Sequence, residues 1–520
     1  MKKFKIITGL FFAVLLLNSC TDDLTTEPEN GLTLEELLTR DPNAVQGLVS
    51  KIYGSFALSG ANGPGSTDTP GDDAGESPFL RGIINLEDFT ADDMKNRWGD
   101  NGLDQLTTAT DWDENNKFFR YLYNRVYYTV PQCNNLISVL GNVSLDNKEQ
   151  YIAELRFLRS LAYYYLIDCF GKGVLVTEDT SNSVPAPQAN RQQLFAFVES
   201  ELLAIQGALP QTNEYGRANK AVARMLLAKL YLNAEVYTGT PKYAEALAQV
   251  KKVIDEGGYS LTPNFISLFS ADNNVSSAKT EIIFPLIADP LTSQSYGNTT
   301  YLVSGSLSGD TMSLGDYGAT EGWGGHRATS AWYGLFGASA ADLAASSDDR
   351  AHLFWTTGHN YTMNNYKTWI DGYPSIKFRN TNAEIPLASA TKFSGTDFPL
   401  FRLADAYLIY AECVLRGGGG STTEALGYVN DVRNRSHATP INAGQLTLDF
   451  ILDERARELN FEGHRRTDLI RFGKFTGGSY LWPWKGGVAA GTAIPNHYNV
   501  FPIPLKAMQA NPNLTQNPGY

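Results

Sequence analysis

Cysteine and histidine are scarce in this chain, which has four cysteines and six histidines among 520 residues. Four cysteines are too few to brace a protein of this size with disulfides, and no Cys-x-x-Cys pair suggests a zinc or redox site. The histidines are scattered, and the nearest pair, His352 and His359, is a poor candidate for metal ligation. The composition therefore excludes a disulfide scaffold and does not indicate a metal centre.

Positive charge is also in short supply. Lys and Arg number 42 against 55 Asp and Glu, which leaves a net charge of −13. Binding to phosphate backbones needs clustered Lys and Arg, and the chain has no long basic run. Nucleic acid is therefore not expected among its partners.

The chain lacks a long apolar run. After residue 17 no segment has 18 consecutive apolar residues, so no membrane-spanning helix is predicted. Three lysines within the first five residues precede a short apolar run at 6–17, the pattern of a signal peptide. The run ends in Leu17-Asn18-Ser19-Cys20, which resembles a bacterial lipobox.

Two interpretations of this N-terminus are open. Residues 1–19 are either a lipoprotein signal peptide that leaves a lipidated Cys20, or an ordinary signal peptide followed by an incidental cysteine. We favour lipidation, because the small residue Ser19 precedes the cysteine that closes the apolar run. The acidic segment 20–40 is then predicted to be a lipid-anchored tether, too polar to fold alone.

Common catalytic motifs are missing as well, including Gly-x-x-x-x-Gly-Lys, Gly-x-Ser-x-Gly and His-Glu-x-x-His. The acids at 72–76 and 92–93 could serve a glycosidase, but neighbouring carboxylates in polar loops are usually only solvated. Glu454, Glu458 and Glu462 share one helical stripe with arginines nearby, which indicates a structural ion network. No catalytic residue is predicted.

Residues 41–520 predict a single, mostly α-helical domain. Apolar residues recur at helical spacing, most clearly from Tyr151 to Cys169. The stretches 221–254 and 402–435 each indicate two helices joined by a glycine-containing turn, with small alanines packed against large aromatics. Such pairs are similar to tetratricopeptide units, which stack because each leaves an apolar face open. We predict a scaffold of tetratricopeptide-like hairpins with long ordered loops and few short strands.

Loop-rich regions at about 59–115 and 289–337 contain aromatic residues where helix packing is not expected. Sugar rings present apolar C–H faces that suit aromatic platforms, while planar polar groups bind hydroxyls at the edge. The alternative is that these rings only close a small local core. The candidate platforms are Trp98, Tyr296 and Trp323, and the candidate polar edge is Asp73, Arg81 and Asn101.

Four segments carry a resemblance to a known family. They are AELRFLR at 153–159 with Phe170-Gly171, FRLADAY at 401–407, ERARE at 454–458 leading into FEGHRRTDLIRFG at 461–473, and the ending PIP at 502–504 with NPNLTQNPGY at 511–520. In this order they resemble the SusD/RagB family of Bacteroidetes outer-membrane lipoproteins, over essentially the whole chain. The local sequence is most similar to a starch-binding member, for example in YLWPWKGG at 480–487.

The resemblance implies a non-catalytic, lipid-anchored receptor on the outer membrane, facing the cell exterior. It would bind starch or maltooligosaccharides, which are α-1,4-glucans, and deliver them to a SusC-like TonB-dependent transporter. The alternatives are a receptor for a different glycan, a glycoside hydrolase, or a scaffold that binds only protein. No cofactor is required by this interpretation. Relatives can hold calcium, but this sequence identifies no ligands for it.

The same resemblance gives the candidate residues their roles. Trp98, Tyr296 and Trp323 match an aromatic arc of the starch-binding member, and Asp73, Arg81 and Asn101 match its hydrogen-bonding positions.

Overall fold

The computed structural model describes residues 31–71, 73–180, 185–384 and 390–520. The signal peptide predicted at 1–19, Cys20 and the tether up to residue 30 lie outside the described residues.

Helices dominate the described residues, and none of them is long and apolar enough to cross a membrane. The mostly α prediction is confirmed. The helices are α1 (Leu34–Arg40), α2 (Ala44–Gly54), α3 (Phe79–Glu87), α4 (Leu103–Thr108), α5 (Lys117–Asn142), α6 (Lys148–Phe170), α7 (Arg191–Ile205), α8 (Lys220–Leu232), α9 (Ala234–Thr238), α10 (Tyr243–Glu256), α11 (Thr299–Ser306), α12 (Ser330–Tyr333), α13 (Ala340–Ala345), α14 (Leu403–Leu415), α15 (Thr422–Arg435), α16 (Leu448–Leu459), α17 (Arg465–Arg471) and α18 (Leu505–Ala510).

Helix α1 shows that the folded domain begins before residue 41. The Thr33 hydroxyl accepts a hydrogen bond from the Glu36 backbone N at 3.1 Å, and the Glu36 carboxylate accepts one from the Thr33 N at 2.8 Å. This reciprocal cap satisfies two backbone donors that the helix itself leaves free. Leu38 is fully buried, and α1 packs against α5. The predicted tether is therefore wrong for residues 34–40, which belong to the domain.

The scaffold is a series of helices packed side by side. Helix α5 packs on α6, and α6 on α7; α8, α10, α14 and α15 follow, each against the next. The predicted hairpins at 221–254 and 402–435 are the pairs α8/α10 and α14/α15. Contact between α10 and α14 lets each hairpin cover the apolar face that the other leaves open. The tetratricopeptide-like prediction is confirmed.

Helix α6 is almost entirely enclosed by its neighbours. From Ala153 to Phe170 every side chain except that of Arg156 is buried. Helix α6 is covered by the helices that it contacts, α2, α5, α7 and α8. Arg156 reaches Glu201 on α7, with its Nη2 2.6 Å from the Glu201 Oε1.

Within the described residues, three two-stranded antiparallel ribbons connect loop segments. One ribbon pairs β1 (Met94–Asn96) with β5 (His326–Ala328), joins the two loop-rich regions and places Met94 opposite Ala328 and Asn96 opposite His326. These regions also contain the short helices α3 and α11, in which every residue is buried. The paired strands are β1 (Met94–Asn96) with β5 (His326–Ala328), β2 (Gly173–Val174) with β3 (Gln188–Ala189), and β4 (Ile282–Leu286) with β6 (Phe398–Arg402).

Glu454 and Glu458 lie on α16, but Glu462 follows three residues after the helix ends at Leu459, so the predicted helical stripe is wrong for Glu462. All three glutamates still belong to a buried ion network, as the sequence predicts. The Glu458 carboxylate accepts hydrogen bonds from Arg402 Nη1 at 2.6 Å, from Arg350 Nη1 at 2.9 Å and from Arg435 Nη2. Arg402 Nε also donates to the Glu462 Oε2 at 2.7 Å. Burial alone would raise the pKa of Glu458, but the three guanidiniums hold that pKa well below its usual range.

The arginines next to this stripe in sequence mostly bind other acids. Arg455 pairs with Asp405 and Asp468, while Arg465 pairs with Asp92. The network is therefore assembled from segments far apart in the chain, which ties helix α14 and the ribbon strand β6 to α16.

The three described cysteines, Cys133, Cys169 and Cys413, are buried and unbridged, as the sequence predicts. Burial raises the pKa of the Cys133 thiol to about 12, so this group is inert at neutral pH.

Candidate functional site

The β1–β5 ribbon brings two of the predicted platforms together. Beyond the last strand pair, the Arg97 backbone N donates to the Gly325 carbonyl at 3.1 Å. The Trp98 indole Nε1 then donates to the Trp323 carbonyl at 3.0 Å, across 225 positions of sequence. The two indole centroids lie 6.3 Å apart with planes inclined by 58°. A ribbon hydrogen-bond ladder therefore sets the spacing of these rings.

One side of the Trp98 indole packs against other aromatic rings. Its ring lies 5.1 Å from the His326 ring and 5.9 Å from the Tyr301 ring. A Cβ atom added to Gly325 would come within 2.2 Å of the indole, so only glycine leaves room for the ring there. Burial, together with the charges of Arg81 and Arg327, holds the pKa of His326 well below its ordinary value. His326 is thus a neutral aromatic support.

Tyr296 continues the surface on the other side of Trp323. The Tyr296 and Trp323 rings lie 6.3 Å apart with planes inclined by 46°. Phe393 packs against Tyr296 at 5.1 Å, and Lys392 Nζ lies 5.5 Å from the Tyr296 ring centroid. Trp98, Trp323 and Tyr296 are each half-buried. They form a bent row of supported rings, defined here as the aromatic arc.

The arc lines an open cleft of about 720 Å³. Five of the six predicted site residues meet in this cleft. Asn101 does not line it and lies exposed in the turn that follows Trp98. The lining residues are Pro64, Gly65, Asp73, Ala74, Gly75, Glu76, Arg81, Trp98, Asp100, Tyr296 and Trp323.

The two predicted edge residues that line the cleft, Asp73 and Arg81, have different surroundings. Asp73 is exposed, and its Oδ1 accepts from the Gly75 backbone N at 2.6 Å, which caps the short helical turn Ala74–Glu76. Arg81 is buried, donates from Nη1 to the Gly75 carbonyl at 3.2 Å and lies 4.3 Å from the Tyr301 ring centroid. Arg81 therefore braces the loop while it also lines the cleft.

Two acids of the cleft are missing from the predicted site. Glu76 accepts hydrogen bonds from Lys117 at 2.9 Å and from the Tyr121 hydroxyl at 3.3 Å. Asp100 lies two residues after Trp98, a proximity that could have indicated it. Glu76 stands in a cluster of acids that the sequence brings up only as candidates for catalysis.

Among the described residues, one group of three acid or thiol side chains is close enough to share an ion, and it does not suit calcium. The acids and thiols close enough to share an ion there are Glu87, Asp168 and Cys169, all buried. Arg466 Nη1 lies 3.1 Å from the Glu87 carboxyl group and 3.3 Å from that of Asp168, so a guanidinium already pairs with both groups. Calcium prefers an all-oxygen shell, and a thiol is not part of one.

Comparison with known proteins identifies the family. A family model described as "SusD family" matches residues 341–520, and one described as "Starch-binding associating with outer membrane" matches residues 72–232. The chain is 33% identical to the starch-binding protein SusD of Bacteroides thetaiotaomicron over 570 aligned positions, which cover 100% of both chains. The chain belongs to the SusD family. The resemblance seen in the sequence motifs is confirmed.

Solved structures of SusD-like proteins share this fold. A SusD superfamily protein from Parabacteroides distasonis superposes with a TM-score of 0.72 at 21% identity, covering 94% of this chain and 100% of that one. Surface glycan-binding protein A from Bacteroides thetaiotaomicron, in complex with laminarihexaose, gives a TM-score of 0.67 at 20% identity and covers 91% and 99% of the two chains.

Proposed function

We propose that this SusD-family protein binds α-1,4-glucan, as starch or maltooligosaccharides, along the aromatic arc. The shape of the arc carries the proposal. The Trp98 and Trp323 rings are 6.3 Å apart with planes inclined by 58°, and the Trp323 and Tyr296 rings are 6.3 Å apart with planes inclined by 46°. The surface that the three rings present is therefore curved. Successive glucose units of an α-1,4 chain follow a curve and can each stack an apolar face on one ring. A straight β-1,4 chain would touch fewer of the rings.

Polar groups at the cleft complement this stacking. Asp73 and Asp100 supply carboxylate oxygens that accept hydrogen bonds from sugar hydroxyls, and the Arg81 guanidinium can donate to them. A few placed polar groups around an apolar platform are typical of small-ligand sites. The 33% identity to a starch-binding protein supports the same ligand class.

We propose the following specificity test. Isothermal titration calorimetry compares maltoheptaose, laminarihexaose and cellohexaose, which carry α-1,4, β-1,3 and β-1,4 linkages. Maltoheptaose should bind at least about tenfold more tightly than cellohexaose, a difference of about 1.4 kcal/mol. Equal affinity for the two would refute the shape argument, and tighter binding of laminarihexaose would establish a β-1,3-glucan receptor instead.

We propose that binding occurs without hydrolysis. In the cleft, the Glu76 carboxylate accepts hydrogen bonds from Lys117 and Tyr121, so it is not free to act as a proton donor. Incubation of the purified protein with starch should release no new reducing ends. Sustained release that a Glu76→Gln variant abolishes would show a glycoside hydrolase.

We infer that the protein is anchored to the outer membrane through Cys20, faces the cell exterior and delivers glucan to a SusC-like TonB-dependent transporter. The lipobox-like sequence before Cys20 and the matched family model, described as associating with the outer membrane, support this inference. Mass spectrometry of the membrane-extracted protein should show lipid on Cys20, and a Cys20→Ala variant should leave the membrane fraction. Co-purification with the transporter tests the partnership.

A further inference from the structure

A second pair of half-exposed aromatic rings lies outside the arc. Tyr366 and Trp484 come from two loops far apart in sequence, and their ring centroids are 4.9 Å apart with planes inclined by 66°. The Trp484 indole Nε1 donates to the Met363 carbonyl at 3.0 Å, which fixes the indole against the loop of Tyr366. This pair, defined here as the outer platform, resembles the arc in presenting inclined, supported rings.

The outer platform adjoins the turn that follows Trp98. Lys367, next to Tyr366, donates from Nζ to the Asp104 carboxylate at 2.6 Å, and Asp104 lies in the first turn of α4. A Cβ atom added to Gly99 would lie 3.5 Å from the same Lys367 Nζ. Helix α4 also contacts the turn Lys485–Gly487 that follows Trp484. The turn at 99–102 therefore has the arc at its beginning and the outer platform beside it.

Asn101 lies in this turn. It is exposed and does not line the cleft, although the sequence places it with the hydrogen-bonding residues. A ligand confined to the residues that line the cleft would not contact Asn101. A chain that leaves the cleft past Trp98 and crosses the turn would meet Asn101 on the way to Tyr366.

The backbone at Trp484 has an unusual, strained conformation. Trp484 has a φ of +69°, a left-handed conformation that is rare for a bulky side chain. Leu481 and Val488, on the same loop, are 46% and 47% exposed. Exposed aromatic and aliphatic side chains gathered on one loop are typical of a binding surface.

We propose that Tyr366 and Trp484 form a second stacking site for the same glucan, so that a long chain continues from the arc across Asn101 to the outer platform. This inference rests on the proposed function, because it extends the ligand of the arc. Its consequence is a preference for long chains. Short maltooligosaccharides occupy the arc alone, and longer ones gain contacts with the outer platform.

The test compares chain length with ring removal. Calorimetry with a series from maltotriose to maltodecaose is carried out on the mature protein and on Tyr366→Ala and Trp484→Ala. Loss of one stacking ring should weaken binding of the longest chains by about fivefold and leave maltotriose within about twofold. Tyr151→Ala is the matched control, since Tyr151, on α6, is a half-buried tyrosine that packs beside Arg217. Thermal melting confirms that each variant folds.

Each outcome bears on a different claim. Unchanged affinity for every length in both variants, while Trp323→Ala still weakens maltotriose, would overturn the outer platform and leave the proposed function intact. Equal weakening at all lengths would also overturn it, because the rings would then act through the arc. Failure of the unaltered protein to bind any maltooligosaccharide would overturn both. Loss of transporter co-purification with unchanged glucan affinity would show a protein interface instead.

Discussion

The ion network under α16 and the aromatic arc are both assembled from distant segments, yet they are built in opposite ways. In the network, Arg402 and Glu458 are at most 1% exposed, and each charge has several partners. In the arc, half-buried rings leave part of their surface open, and only a few polar groups surround them. The segments that carry the family resemblance, 401–407 and 454–473, supply the network and none of the cleft. The segments that carry the family resemblance therefore belong to the scaffold, whereas the proposed glucan site is formed by loops.

The largest expected effect is in the network. Glu458→Gln removes one charge from a buried cluster and leaves Arg350, Arg402 and Arg435 partly uncompensated. Breaking a buried ion pair costs about 3–5 kcal/mol, and we expect that loss in the free energy of unfolding measured with urea. The matched control is Asp449→Asn, whose partner is Lys474 and whose side chain is 81% exposed; we expect it to cost about 0–1 kcal/mol. Equal effects of the two variants would contradict this reading of the network.

Asp397 is a buried acid with a different environment, and it gives a pH test. Burial raises the pKa of Asp397 to about 7, and its Oδ1 accepts from the Ala288 N at 2.8 Å, at the start of the Tyr296 loop. The folded protein therefore holds a proton that the unfolded chain releases near pH 4, so this group favours folding at low pH and loses that contribution as pH rises toward 7.

Asp397→Asn removes that dependence. The free energy of unfolding of this variant, relative to that of the unaltered protein, should rise between pH 5 and about pH 7 by up to roughly 1.4 kcal/mol per pH unit and level off above pH 7. Thermal melting at each pH checks this. A stability difference between the two proteins that stays the same at every pH in this range would show that Asp397 is ionised in the folded protein.

Trp323→Ala tests the arc without disturbing the network. Removal of one half-buried ring should weaken maltoheptaose binding by about tenfold, since one stacking contact is worth about 0.5–1.5 kcal/mol beyond the area it buries. The melting temperature should change little, because the Trp323 indole is only half-buried and its aromatic neighbours are the other two arc rings. Calorimetry and thermal melting on the same sample check both expectations. A large loss of stability with unchanged affinity would show that Trp323 supports the fold and not glucan binding.

Gly325→Ala reaches Trp98 through the backbone. The added methyl group would lie 2.2 Å from the indole, so the ring has to move and we expect affinity to fall by about threefold to tenfold. Gly315→Ala is the control, because nothing lies within 4 Å of a Cβ added there. Equal affinities of the two variants, measured by tryptophan fluorescence titration, would show that the position of Trp98 is not critical.

The smallest effect is expected at the rim of the arc. Lys392 pairs with Glu321 at 3.0 Å, and both side chains are more than 40% exposed. Exposed pairs contribute little, so Lys392→Ala should change maltoheptaose affinity by less than about twofold. A change above fivefold would mean that this lysine binds the sugar directly.

Local periodicity predicted the parts of the fold that depend on neighbouring residues. The hairpins α8/α10 and α14/α15 follow from helical spacing, and the position of Glu454 and Glu458 on one face of α16 follows from a four-residue step. The same step failed for Glu462, because the helix ends at Leu459. Helix α1 was missed because seven residues with one buried leucine give almost no periodic signal. The partners of Glu458 could not be predicted, because Arg350 and Arg402 reach it only through tertiary contacts.

The site shows the same limit. The resemblance supplied six residues, of which five meet in the cleft and Asn101 lies outside it. Tyr366 and Trp484 carry no sequence signal of being neighbours, because their loops are separated by more than a hundred positions. Their pairing depends on how the turn at 99–102 and helix α4 bring the loops together.

A crystal structure of the protein with maltoheptaose tests the central claim most directly. We expect consecutive glucose rings stacked on Trp98, Trp323 and Tyr296, with hydroxyls within hydrogen-bond distance of Asp73 and Arg81. A glucan bound at another surface, with these three rings bare, would contradict it.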